Sequence, residues 1–225
     1  MDAWIGLNLE ELPLIKRGAE SEIRRGRFLG VDAVYKIRVR KPYMHPRLAE
    51  SLARARTKRE AKIIAAARRG GVSAPALLAV FPSLAVLIME YVEGRLLKDE
   101  VDRLGGGLRP VINKAGETLG RLHRLGIVHG DPTTSNYILS RGVPVLIDYG
   151  LSEFSESIED RAVDLHLFRR AASSTHASIA DSLYKWYVEG YLSEMGLEGE
   201  RVVNRAEEVR LRGRYVRERK KTVWG

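Results

Sequence analysis

The 225-residue chain contains no cysteine. Disulfides, thiolate metal sites and a cysteine nucleophile are thereby excluded, and a reducing compartment is compatible with the composition. Its five histidines are scattered, with no zinc-ligand spacing. Long apolar runs are missing: the longest near-apolar stretch, residues 74–89, is broken by Pro75, Pro82 and Ser83 and is too short to span a bilayer. Met1-Asp2-Ala3-Trp4 lacks the basic head and apolar core of a secretory signal. A soluble, cytoplasmic protein with no membrane partner is expected. Neither GxxxxGK[ST] nor GxGxxG occurs, which excludes a P-loop enzyme and leaves any phosphate loop to be built otherwise.

What the chain does have is charge, unevenly placed. It is 44% hydrophobic and 30% charged with a net charge of +9, the composition of a globular protein large enough for a real core. Residues 1–35 carry a net −1, residues 36–69 a net +10, residues 70–200 a net −6 and residues 201–225 a net +6. A basic segment and a basic tail bracket an acidic middle. That pattern favours a polyanionic partner, nucleotide or nucleic acid.

The order of elements follows from periodicity. Val31 to Val39 reads as a strand carrying Lys36, and Arg47 to Arg69, rich in Ala, Leu, Arg and Lys, as a long helix stopped by Gly70-Gly71. Pro75 to Val80 and Leu84 to Val92 read as two more strands, and the region containing Ile23 and Phe28 can complete an antiparallel sheet. Val111 to Leu125 is a helix with a glycine stop at Gly126. Short β-like runs follow at Tyr137 to Leu139 and Val143 to Ile147. Helices are predicted over Ala162 to Ala172, Ile179 to Leu192 and Val202 to about Arg219. This predicts an α+β protein of reduced bilobal, protein-kinase-like fold. Residues 1–90 form a small antiparallel β lobe with one long helix (about 47–69), and residues 91–225 a helical lobe ending in a basic tail (about 210–225). The strand-like link at Met89 to Gly94 becomes a hinge that receives an adenine ring through backbone groups of Glu90 and Val92.

Chemistry concentrates in His129-Gly130-Asp131-Pro132-Thr133-Thr134-Ser135-Asn136, followed twelve residues later by Ile147-Asp148-Tyr149-Gly150. An Asp, an Asn five positions on and a second Asp after an apolar run are the polar kit for moving a phosphoryl group. One carboxylate takes or orients a hydroxyl proton. An amide oxygen and the other carboxylate suffice for Mg²⁺, which keeps several of its waters. Lys36, unusual inside an apolar strand, and Glu60 on the following helix supply a cation for ATP phosphates and the anion that holds it. Gly18-Ala19-Glu20-Ser21 occupies the place of a phosphate-covering loop with a single glycine. His129 is read as a packed histidine orienting the loop backbone.

These segments, together with Lys41-Pro42-Tyr43, Thr57 to Ala61, Met89 to Gly94, Glu159 to Leu165, Ser174-Thr175-His176 and Glu208 to Arg214, resemble the KEOPS kinase subunit family, small atypical Ser/Thr kinases and ATPases. The resemblance runs essentially end to end. It implies Asp131 as catalytic base, Lys36 as phosphate contact and Asn136 and Asp148 as metal ligands, with ATP and Mg²⁺ as cofactors. It further implies a threonylcarbamoyltransferase subunit and other KEOPS subunits as partners, in N6-threonylcarbamoylation of adenosine 37 of tRNA. Two departures stand out: the family's Leu after the catalytic Asp is Pro132, and its Asp-Phe-Gly is Asp-Tyr-Gly. Only sixteen residues separate Asp148 from Asp164, too few for the long segment on which protein kinases lay a peptide. ATP hydrolysis within an assembly therefore fits better than phosphorylation of many proteins.

The tail crowds Arg210, Arg212, Arg214, Arg217, Arg219, Lys220 and Lys221 into twelve positions around Tyr215. Arginines pair with phosphates and aromatics stack on bases, which suits tRNA or a partner's cleft. Two other readings stay open on the sequence. One is a small-molecule kinase of the aminoglycoside or choline type, and the other a weakly catalytic tRNA-binding adaptor.

Overall fold

The computed structural model describes the backbone of residues 9–39 and 44–222, with side chains to residue 212. The chain divides into two compact units: residues 1–65 with 75–91, and residues 66–74 with 92–225.

In the first unit, strands β1 (Leu14–Arg17), β2 (Ser21–Phe28) and β3 (Val31–Arg38) precede helix α1 (Pro46–Arg69), whose last turn counts with the second unit. Strands β4 (Leu77–Phe81) and β5 (Val86–Glu90) follow. Among the described residues these five strands form one antiparallel sheet in the order β1-β2-β3-β5-β4. Phe28 pairs with Val31, and the intervening Leu29 (φ 48) and Gly30 (φ 83) make a two-residue turn with both residues left-handed. That turn matches the right-handed twist of the strands it joins. The sequence reading missed β1, whose four residues are all exposed and show no apolar alternation.

Side chains alternate across β3. Ala33 and Tyr35 pack with Val86 and Ile88 on one side, lined by Leu12, Phe28, Ile37 and Phe81. Lys36 and Arg38 leave by the other side, where Glu60 of α1 meets them. Helix α1 buries Ala49 and then, at spacings of three or four, Thr57, Glu60, Ala61, Ile63, Ile64 and Ala67. Each fully buried isoleucine contributes roughly 1.5–3 kcal/mol of hydrophobic stabilisation.

The second unit begins with β6 (Arg95–Leu96), the one-turn helix α2 (Leu97–Glu100), α3 (Leu108–Arg124) and β7 (Ile127–Val128). Strands β8 (Tyr137–Ser140), β9 (Val143–Leu146) and β10 (Glu153–Phe154) and helices α4 (Ile158–Thr175) and α5 (Ala180–Thr222) complete it. Strand β8 lies between β6 and β9, and β7 pairs antiparallel with β10. Helix α3 starts three residues before the expected Val111, with Pro110 in its first turn, where an absent N–H costs nothing. The two helices expected beyond residue 179 form one run interrupted at Gly196 (φ 54, ψ −138). Only glycine tolerates that backbone cheaply. Helices α3 and α5 touch backbone to backbone. A Cβ on Gly116 would lie 1.9 Å from the Tyr187 carbonyl oxygen, and one on Gly190 1.9 Å from that of Asn113. Among the described residues, no helix is long and apolar enough to cross a membrane.

Candidate functional site

The loop between β7 and β8 is held from beneath by Asp164 of α4, which is buried. Its carboxylate accepts the backbone N–H of His129 (2.6 Å) and of Gly130 (2.8 Å), and pairs with His123 Nε2 (3.0 Å). Gly130 (φ 82) bends the chain here, and a Cβ on it would press within 2.9 Å of the Leu151 carbonyl. His129 is wholly buried, with its Nε2 3.1 Å from the Ile147 carbonyl, while its Nδ1 accepts the Asp131 N–H at 3.2 Å. A carbonyl only accepts, so the proton sits on Nε2 and the ring is neutral. Burial pushes the His129 imidazole down, against nearby carboxylates, Asp164 first among them. His129 thus works as a packed orienting residue. The same cause lowers His123, whose Nδ1 meets the Tyr191 hydroxyl at 2.9 Å.

Asp131 is set by Asn136. The Asn136 Nδ2 donates to both the Asp131 backbone carbonyl and its Oδ2, each at 2.8 Å. Two acceptors facing Nδ2 fix the amide orientation and turn its carbonyl oxygen away from Asp131. The Asn136 backbone accepts from Ile147 (2.8 Å), which ties the loop to the residue before Asp148. Asp148 is exposed and left-handed (φ 63, ψ 70), with its Oδ1 3.4 Å from the Gly150 N–H. A carboxylate, an amide oxygen and a second carboxylate are hard oxygen donors of the kind Mg²⁺ takes. Among the described residues no cluster of three or more His, Asp or Glu side chains could hold a metal by itself.

Tyr149, next to Asp148, is packed edge-on against His129 at 5.1 Å between ring centroids. Its hydroxyl is buried and lacks a hydrogen-bond partner among the described residues, and burial drives its ionisation well above the usual phenol range.

In the first unit, Glu60 is 2% exposed and bonded by Lys36 Nζ (2.6 Å) and Arg38 Nη2 (2.5 Å). The expected pair is thus a triad, and Arg38 was missed. Its position two residues after Lys36 was a usable signal, since residues i and i+2 share a strand face. In the turn of residues 18–21, the Gly18 N–H is taken by the Ser21 carbonyl (2.8 Å). Ala19 is exposed, and the Glu20 carboxylate reaches Arg56 of α1 at 2.6 Å. Glu90 uses its N–H on the Ala76 carbonyl and its carboxylate on the Ala76 N–H. Val92 opens the second unit. Of the tail cations, Arg210 pairs with Glu207 and Arg212 with Glu159. The side chains of Arg214, Arg217, Arg219, Lys220 and Lys221, and all of Lys41-Pro42-Tyr43, lie outside the described residues. The helical backbone runs to Thr222, beyond the helix end expected at about Arg219.

Asp164 and His123 were not singled out for the site. An aspartate amid Ala162, Val163 and Leu165 was the available clue, but its partners become visible only once α4 is packed beneath the loop.

Residues 31–160 match the family model of the RIO domain. The chain is 39% identical over 219 residues to the KEOPS complex subunit Bud32 of Pyrococcus abyssi, covering 91% of this chain and 96% of that one. It is 34% identical to the EKC/KEOPS complex subunit BUD32 of Yarrowia lipolytica, covering 89% and 91%. A probable bifunctional tRNA threonylcarbamoyladenosine biosynthesis protein of Methanothermobacter thermautotrophicus is 37% identical, and the chain spans 37% of its length. Among solved structures, WaaP in complex with acyl carrier protein superposes with a TM-score of 0.57 at 15% identity, over 89% of this chain and 90% of that one. That last likeness is one of fold alone, and it agrees with the α+β, reduced kinase-like architecture expected. The chain belongs to the RIO-domain family and, within it, to the family of the KEOPS complex subunit Bud32.

Proposed function

We propose that this phosphotransferase-like chain is an ATP-dependent ATPase and Ser/Thr kinase working in the cytoplasm. It acts within a KEOPS assembly, beside a threonylcarbamoyltransferase subunit, in threonylcarbamoylation of tRNA. The observation that carries the catalytic half is the double donation from Asn136 to Asp131, in a loop whose backbone is pinned by Asp164. Asp131 is held with one carboxylate oxygen bonded, which orients the other toward a hydroxyl or water nucleophile. Asn136 Oδ1 and Asp148 are the groups that would hold Mg²⁺, which when bound neutralises charge on the phosphates. Lys36, presented by Glu60, contributes the phosphate contact. Backbone groups at Glu90 and Val92 receive the adenine, and residues 18–21 cover the phosphates through the N–H groups that the Gly18–Ser21 bond does not use.

The short interval from Asp148 to Asp164 supports hydrolysis, or phosphorylation of a bound partner, over processing of many peptide substrates. Names of the relatives support the assembly and the tRNA pathway. The basic tail, Arg210 to Lys221, supports contact with tRNA. The test is Mg²⁺-dependent ATP turnover, measured alone and with partner subunits and tRNA. Asp131→Asn is expected to lower turnover by ~10²–10⁴-fold. Undiminished hydrolysis in that variant removes Asp131 from the mechanism, and rapid phosphorylation of one amino-sugar or amino-alcohol replaces the proposal with a small-molecule kinase.

A further inference from the structure

The feature that phosphoryl transfer by Lys36 and Glu60 leaves unexplained is Arg38. It is the second cation on a single buried carboxylate, with side-chain exposures of 6% for Lys36, 7% for Arg38 and 2% for Glu60. The two cations do not compete, because Lys36 takes Oε1 and Arg38 takes Oε2. Arg38 is also anchored through its backbone, its N–H donating to the Ala85 carbonyl at 3.1 Å. Its position is therefore fixed by the sheet.

The stoichiometry matters. A buried one-to-one Lys–Glu pair closes its charge on itself, and drawing the ammonium toward another anion leaves an orphaned carboxylate in a dry site, which is strongly unfavourable. With Arg38 on the opposite oxygen, Glu60 stays compensated wherever the Lys36 hydrogens point, and the triad keeps one net positive charge. An ammonium carries three rotatable donors, so it can serve a phosphate and a carboxylate in turn, whereas a guanidinium presents a rigid fork better suited to holding.

We propose that Arg38 is a positioning residue: it holds Glu60, and with it α1, against β3 independently of Lys36, so that the Lys36 ammonium engages a nucleotide phosphate without orphaning a buried carboxylate. This rests on the reading of Lys36 as the phosphate contact.

The experiment is a double-mutant cycle read by nucleotide affinity, with ATP and ADP displacing a fluorescent ADP analogue in the presence of Mg²⁺. Arg38→Met is expected to weaken ATP about tenfold or more, the scale of a strongly coupled pair. In a Glu60→Gln background, where there is no carboxylate charge to compensate, the same substitution should change affinity by less than about twofold. Arg38→Lys should restore most of the loss, and the fold of each variant is checked by circular dichroism and nucleotide-free thermal unfolding. If Arg38→Met unfolds the chain, Arg38→Gln carries the same cycle, with Arg38→Lys kept as the rescue. Equal losses in both backgrounds would overturn the proposal in favour of direct phosphate contact by Arg38, and no loss in either would remove Arg38 from nucleotide binding. Failure of the underlying reading has its own signature, an unaltered ATP affinity in Lys36→Met.

Discussion

Asn136 spends both hydrogens of its side-chain amide on Asp131, one on the backbone carbonyl and one on the carboxylate, at 2.8 Å each. The same contact orients the proposed base and turns the amide oxygen away from Asp131. Asn136→Asp removes the donor and sets two carboxylates against each other, which is destabilising at such range. ATP turnover should fall by ~10²-fold or more, and Mg²⁺ titrations of the activity should no longer saturate at the wild-type concentration. Unchanged turnover and Mg²⁺ dependence would show that the contact is only structural.

Asp164 is a keystone for the loop. Asp164→Ala strands the N–H groups of His129 and Gly130 and one nitrogen of His123 inside the protein. A loss of about 2–5 kcal/mol is expected, since each stranded donor forfeits its solvation. Urea unfolding measures it, and a loss below ~1 kcal/mol would mean that water reaches the loop from below.

Tyr149→Phe should stabilise the protein. It deletes a hydroxyl that is buried without a partner among the described residues and keeps the ring against His129. A gain of up to ~1–2 kcal/mol follows from the desolvation that is avoided. Thermal unfolding should shift upward, and a downward shift would reveal a bonded hydroxyl.

Acid should act through His123 and His129, which are fully buried, with burial shifting His166 and His176 in the same direction. Burial lowers both His123 and His129 from 6.5 in the folded state. The unfolded chain thus binds more protons below that value, so their contribution is complete above pH 6.5 and is lost as pH falls beneath it. Each histidine adds a slope approaching ~1.4 kcal/mol per pH unit until its folded pKa is passed. Denaturation midpoints between pH 7.5 and about 5, above the carboxylate range, test this. A flat profile there would show that the rings protonate without unfolding.

Neutralising Arg214, Arg217, Arg219, Lys220 and Lys221 should reduce the salt dependence of tRNA binding. The slope of log affinity against log salt should flatten by up to ~0.7–0.9 per cation that touches a phosphate. An unaltered slope would place the tail on a protein partner.

Periodicity and composition carried the long elements. The apolar–polar alternation around Lys36 marked β3, and alanine-rich helix formers marked α1 to within a residue at its start. The five-residue spacing from Asp131 to Asn136 named a pair that the loop joins directly. What depended on three-dimensional register was hidden. Arg38 joins Glu60 because strand and helix meet at one height, and Asp164 reaches the loop across 35 residues of sequence. Strands β6, β7 and β10 are two residues each, too short to show any period.

The glycine-to-carbonyl crossing of α3 and α5 has a mechanical consequence. Hydrogen is the only substituent that fits at Gly116 or Gly190, so the two helices cannot slide or ratchet past each other by a side-chain repacking. His123 and Tyr191, bonded at 2.9 Å across that same crossing, are thus clamped between helices whose spacing the two glycines set.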